Sequence, residues 1–176
     1  ALGSDADSGA TITGYTLTDN AGGRFAIDPV TGVVTVADGS LLDYESATSH
    51  TITVQATSSD GSVGTTNFTI NLSNVNDNPV LVADSNGAVN TVAENAANGT
   101  VVGVTALGSD ADSGATITGY TLTNDAGGRF AIDPVTGVVT VANGSLLDYE
   151  SATSHTITVQ ATSSDGSVGT ANFTIN

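Results

Sequence analysis

At 176 residues the chain is long enough for one large domain or somewhat less than two of ordinary size, and two arginines stand against 18 acidic residues for a formal charge of −16. With so little positive charge to neutralise phosphates or meet anionic lipid, a nucleic-acid role and direct membrane insertion or docking are excluded. Cysteine is absent, which removes disulfide and zinc-thiolate chemistry, and no apolar run approaches membrane-spanning length.

The dominant feature is duplication: residues 1–71 match residues 106–176 at an offset of 105, and only Asp19/Asn124, Asn20/Asp125, Asp38/Asn143 and Thr66/Ala171 differ. Copies this close point to a longer array of near-identical units. Nothing before the first copy corresponds to Val80–Thr105, which we read as the first two strands of a module. We therefore expect a piece of something longer, with a partial repeat over 1–78 and a whole one over 79–176. Either the piece is cut inside a module, or a neighbouring chain supplies the strands and a homo-oligomer forms by strand exchange.

In chain order, Ser4-Asp5-Ala6-Asp7-Ser8-Gly9 opens the first copy and returns as Ser109-Asp110-Ala111-Asp112-Ser113-Gly114. In turn or extended backbone, alternate side chains point the same way, so each Asp-x-Asp brings two carboxylates toward one cation. Asp28 and Asp133 begin Asp-Pro-Val-Thr-Gly turns, where Asp accepts from nearby amides, Pro presets the corner and Gly takes positive φ. Leu42-Asp43-Tyr44-Glu45 recurs as Leu147-Asp148-Tyr149-Glu150. His50 and His155 each begin a strand and are expected at exposed or edge positions. Arg24 and Arg129 follow Gly-Gly and are expected to pair with a nearby carboxylate.

Between the copies lies Asn74-Val75-Asn76-Asp77-Asn78-Pro79, rich in side-chain oxygen and stiffened by a proline. A flexible hinge would be built from Gly and Ser; this composition suits a tether whose geometry a hard cation sets. Val92-Ala93-Glu94-Asn95 follows, ahead of Gly99-Thr100.

The remainder alternates with a period of two between turn clusters. Thr116–Leu122 is a strand in which Gly119 sends Ile117 and Leu122 to different faces. Phe130–Ile132 and Val138–Val141 flank the Asp133 turn as a short hairpin. Thr156–Ala161 puts Ile157, Val159 and Ala161 on one face, and Asn172–Ile175 does the same for Phe173 and Ile175. No helical stripe is sustained. Seven or so short strands in about 105 residues predict an all-β, tandem Greek-key β-sandwich, cadherin-like or Ig-like, with the first copy truncated at its N-terminus.

The order of motifs resembles the cadherin repeat family, most closely the cadherin-like repeats of large bacterial surface adhesins. The matching elements are Ala93-Glu94-Asn95 with Gly99-Thr100, Asp110-Ala111-Asp112, Phe130–Gly137, Leu147-Asp148-Tyr149-Glu150 and the linker Asn76-Asp77-Asn78-Pro79. The resemblance implies Ca²⁺ at module junctions. On it, Asp43 and Glu45 meet Asn76, Asp77 and Asn78 of the linker, and Asp110 and Asp112 close the cluster. Glu94, Asp148 and Glu150 serve the following junction, and Asp5 and Asp7 the preceding one. Two positions depart from the family pattern: Asn74 opens the linker where Asp is usual, and Ser163 replaces an Asp in Val-x-Ala-x-Asp, with Asp165 two residues on. Fewer or weaker ions per junction are expected.

The expected function is structural: a repeat of an extracellular, cell-surface adhesin stalk or filament whose partners are neighbouring repeats of the same chain. The alternative is an adhesive module gripping a glycan or a protein. No nucleophile elbow, oxyanion signature or phosphate loop accompanies the Ser, His and Asp residues, so an enzyme is not expected.

Overall fold

In the computed structural model, which describes residues 1–176, the period-two runs of Thr, Val and Ile become twelve strands and no α-helix. Branched Cβ atoms restrict χ1 and pack well on a pleated surface, so these residues favour strands over helix. The chain divides into two compact units, Ala1–Val75 and Asn76–Asn176, and Asn76 to Pro79 belong to the second.

In the first unit, β1 (Ile12–Asp19), β4 (Ser49–Ser58) and β5 (Val63–Asn71) form an antiparallel sheet in the order β1-β4-β5, while β2 (Phe25–Ile27) and β3 (Val34–Val36) form a two-stranded sheet. Its core is small: Tyr15, Phe25, Ile52 and Val54 are the buried residues.

The second unit repeats this plan and adds to it. Strands β8 (Ile117–Asn124), β11 (His155–Ser163) and β12 (Val168–Ile175) match β1, β4 and β5, and β9 (Phe130–Ile132) and β10 (Val138–Val141) match β2 and β3. Preceding them, β6 (Leu81–Asp84) and β7 (Val101–Ser109) extend the smaller sheet to the order β6-β7-β10-β9. Pairing of β7 with β10 passes over β8 and β9, the crossover expected of a Greek-key sandwich. Thirteen residues are buried between the two sheets, among them Val102, Val104, Val139, Ile157, Val159, Ala161 and Ile175. The predicted inward faces of β11 and β12 are therefore observed.

The Asp-Pro-Val-Thr-Gly turns form as expected. Asp133 Oδ1 accepts from the amides of Val135 and Thr136 at 2.9 and 2.8 Å, and Gly137 stands at φ 71°. Three of the four differences between the copies fall at positions with one task. Asp19 and Asn124 both accept from the amide two residues on, Asn20 and Asp125 from the amide three on, and Asp38 and Asn143 both cap a short 3₁₀ turn. A side-chain oxygen suffices for each, so the exchange of Asp and Asn leaves the fold unchanged.

Three local expectations are corrected. Ile117 and Leu122 pack on the same core, because an irregularity in pairing between Ile117 and Gly119 restores the phase that odd spacing would lose. His50 and His155 lie half-buried on the central strand of their sheet, tilted against Phe25 and Phe130 at centroid distances of 6.3 and 6.1 Å. Burial, then the charge of Arg129, holds His155 below the usual histidine range. The two arginines bond backbone rather than carboxylate: Arg129 Nε donates to Leu146 O at 2.9 Å and its Nη1 to Ala126 O at 2.7 Å, and Arg24 repeats the pattern. Each arginine thereby ties the Gly-Gly turn to the 3₁₀ segment after β3 or β10.

Candidate metal centres

Three groups of acidic side chains form within single units, each with carboxylate oxygens lying within 4.8 Å of one another. The first is made from the Asp-x-Asp loop after β7. Asp110 Oδ1 accepts the amide of Asp112 at 3.1 Å, which turns the loop tightly enough to bring both carboxylates together. Asp165, in the turn between β11 and β12, completes the group. Ser167 connects the two segments, its hydroxyl reaching Asp110 Oδ2 at 3.1 Å and Asp165 Oδ1 at 2.7 Å.

Asp112 is unusual in being a carboxylate only 5% exposed. Its oxygens are met by the linker: the Asp77 amide donates to Oδ1 at 3.3 Å, the Asn78 amide to both oxygens at 3.2 and 3.3 Å, and the Asn78 side-chain amide to Oδ1 at 3.0 Å. The same Asn78 side chain also donates to Asp77 Oδ1 at 3.2 Å. The Asn78 side-chain bond, followed by the two backbone amides, holds the Asp112 carboxyl below the ordinary range against the opposing effect of burial and of Asp165. Asn76 is exposed.

The second group joins Glu94 to Asp148 and Glu150. Asp148 folds its own loop, accepting the Glu150 amide at 3.1 Å and the Ser151 hydroxyl at 2.6 Å, and the Ser151 bond is the main reason its carboxyl is lowered. Glu94 Oε2 reaches the Tyr149 amide at 3.4 Å across 55 residues of sequence. Asp43 shapes the matching loop of the first unit by accepting the amides of Glu45 and Ser46 at 3.0 and 3.1 Å and the Ser46 hydroxyl.

In the third group Asp5 and Asp7 are joined by Asp60. Asp5 accepts the Asp7 amide at 2.9 Å and the Ser62 hydroxyl at 3.2 Å, while Asp60 accepts the Ser62 amide at 2.8 Å. Asp60 and Asp165 were not among the ligands expected from the sequence. They stand 55 residues beyond Asp5 and Asp110, in the Asp-Gly turn that follows the central strand. That turn, two residues after the serine replacing the family's aspartate, was the available signal.

Each of these groups offers carboxylate oxygens and no nitrogen or sulfur. Such donor sets suit a hard cation of calcium's class, whereas zinc and copper favour imidazole and thiolate. Bound there, the ion would supply positive charge to offset clustered like charges.

Paired β-sandwich repeats with acidic loops in this order define a class of extracellular adhesion module. The match to a family model bears this out: the model for the cadherin domain covers residues 2–73 and 89–176, and the chain belongs to that family. Among curated relatives, human protocadherin Fat 4 is 39% identical over 148 residues, 81% of this chain, and human protocadherin Fat 1 is 36% identical over 176 residues, 97% of it. The chain spans only 3% and 4% of those proteins' lengths. Among solved structures, mouse cadherin-23 EC22-24 superimposes with a TM-score of 0.67 at 26% identity, covering 98% of this chain and 56% of that one. Drosophila N-cadherin EC1-4 does so with a TM-score of 0.66 at 25% identity, covering 92% and 40%. Family membership places the chain among adhesion repeats and not among enzymes. No helix is long and apolar enough to cross a membrane.

Proposed function

We propose that the chain is a stretch of a cell-surface stalk or filament, bacterial in type, in which calcium stiffens the joints between successive modules. The modules are 1–78, partial, and 79–176. Asp43, Glu45, Asn76, Asp77, Asn78, Asp110 and Asp112 are the ligand candidates for the joint between them. Glu94, Asp148 and Glu150 would serve the next joint and Asp5 and Asp7 the preceding one. Neighbouring repeats are the partners of each module.

The observation that carries this reading is the seating of the Asp77 and Asn78 amides on the Asp112 carboxylate. It makes the linker and the acidic loop a single piece of structure, so an ion held by the loop also fixes the direction in which the linker leaves. Near-identity of the two copies and a net charge of −16 add support, because a repeated spacer needs no distinct recognition surface and a chain this acidic gains from bound cations. Extracellular modules of this kind hold calcium at roughly 10⁻⁴ to 10⁻³ M.

Small-angle scattering and calorimetry during a calcium titration test the proposal. Chelator is expected to lower the melting temperature and shorten the maximum dimension, with calcium reversing both. Unchanged length and melting would overturn it.

A further inference from the structure

All 18 acidic residues lie outside β8, β11 and β12, so the sheet these strands form has a neutral outer face in a chain of net charge −16. Alternation sends Ile157, Val159 and Ala161 inward. It leaves Thr156, Thr158 and Gln160 of β11 paired on the outer side with Thr174, Asn172 and Thr170 of β12. This face presents hydroxyls and carboxamides and no formal charge. In it stands Asn172-Phe173-Thr174, an Asn-x-Thr triplet that recurs at the same place in the first copy as Asn67-Phe68-Thr69.

Asn-x-Ser/Thr is the acceptor pattern for N-linked sugar. In extended backbone, residues two apart share a face, so Asn172 and Thr174 are both exposed while Phe173 packs against the core. The Thr158 hydroxyl donates to Asn172 Oδ1 at 2.8 Å, and the Thr53 hydroxyl to Asn67 Oδ1 at 2.9 Å. Each bond occupies the oxygen of the carboxamide and leaves its nitrogen without a protein acceptor. Triplets elsewhere in the second unit are tied into the fold. Asn98 Oδ1 accepts the amide of buried Gly144 at 3.0 Å, and Asn143 Oδ1 accepts the amide and the hydroxyl of Ser145 at 3.1 and 2.7 Å. Drawing Asn98 out would strand a buried donor, and drawing Asn143 out would undo a cap. Thr158, by contrast, can turn its hydroxyl to water.

We propose that Asn172 and its twin Asn67 are N-glycosylation sites, so that each repeat carries a sugar on the neutral face of its three-stranded sheet. The donor is a sugar activated as a diphosphate ester, carried on a nucleotide or a lipid and delivered by a transferase. The Asn172 amide nitrogen bonds to the anomeric carbon as the bond from that carbon to the diphosphate oxygen breaks. The diphosphate leaves with the electron pair, and the amide proton passes to a base of the transferase. Thr174, on the same side of the strand, offers the hydroxyl by which the enzyme places the nitrogen. Sugar here would cover a strip of surface where charge repulsion does not keep neighbouring chains apart. The proposal goes beyond the calcium reading and does not rest on it.

The protein carrying this chain is recovered from the cells that make it and digested, and its peptides are mapped by tandem mass spectrometry before and after enzymatic removal of N-linked sugar. Thr66 and Ala171, beside the two asparagines, tell the otherwise matching peptides apart. Sugar is expected on Asn67 and Asn172 and not on Asn98 or Asn143. A sugar added singly identifies a nucleotide donor, and a preassembled oligosaccharide a lipid donor. Thr174→Val removes the hydroxyl and keeps the branched shape that suits a strand. It is expected to abolish the adduct at Asn172 and to keep the one at Asn67 in the same chain, which also reports that the variant is made and processed. Bare Asn67 and Asn172 in the unaltered protein, sugar at Asn98 or Asn143 in their place, or an adduct at Asn172 that survives Thr174→Val would overturn the proposal.

Discussion

The Asp112 carboxylate and the Asn78 backbone amide are joined on both oxygens, at 3.2 and 3.3 Å, in a site that leaves Asp112 only 5% exposed. This pairing fixes where the linker ends and the sandwich begins. Asp112→Ala removes the acceptor and leaves the Asp77 and Asn78 amides without it. We expect a lower melting temperature for the second unit, faster amide exchange at Asn78, and a smaller response to calcium. Asp112→Asn, which keeps one acceptor oxygen, is expected to fall between. Exchange at Asn78 as slow in Asp112→Ala as in the parent would contradict this role.

Acid should weaken both units through a defined set of groups. Asp43, Asp112, Asp133 and Asp148 are each lowered from 3.8 by hydrogen bonds to the ionised form. A carboxyl lowered on folding contributes stability that is whole above its unfolded value and drains away as pH falls through the folded one. Melting temperature is therefore expected to hold down to about pH 4 and to decline below it. A melting temperature unaffected by pH down to about 2 would show that these bonds do not favour the folded state.

The same substitution should cost different amounts in the two copies. Val141→Ala removes a side chain 2% exposed and is expected to destabilise the second unit by about 2 kcal/mol. Val36→Ala acts on a side chain 55% exposed and is expected to stay within about 0.5 kcal/mol. Gly169→Val is likewise expected to cost about 1–3 kcal/mol, and Gly64→Val close to nothing. Denaturant unfolding followed by residue-resolved exchange assigns each change to its unit.

Asp165 should matter to calcium although it lies outside the family's motif. Asp165→Asn leaves the turn's acceptor oxygen for the Ser167 amide but removes one of the three charges grouped with Asp110 and Asp112. Calcium affinity by isothermal titration is expected to fall by about tenfold. An unchanged isotherm would remove Asp165 from the ligand set.

Much of this architecture was legible because the relevant signals are local. The Asp-Pro-Val-Thr-Gly turns, the alternation through Thr156–Ala161 and the order of acidic motifs each reside in a few consecutive residues. What was missed depends on partners distant in sequence. Ile117 joins the face of Leu122 through a pairing irregularity against β11, and Asp165 reaches Asp110 through the return of the chain 55 residues later. Arg129 finds carbonyls because the Gly-Gly turn places Ala126 O within its own reach. His50 and His155 were misjudged because their strands, β4 and β11, are the central ones, which strand order alone reveals.

Tyr149 is 64% exposed and sits between Asp148 and Glu150, in a protein with no tryptophan and four tyrosines. A lanthanide substituted into the group formed by those two carboxylates and Glu94 would have a phenol antenna in the adjoining residue. Because Tyr44 stands likewise between Asp43 and Glu45, terbium emission excited near the phenol absorption would report occupancy of these tyrosine-bearing acidic loops, and Tyr44→Phe would isolate the signal of the loop around Tyr149, with no dye attached.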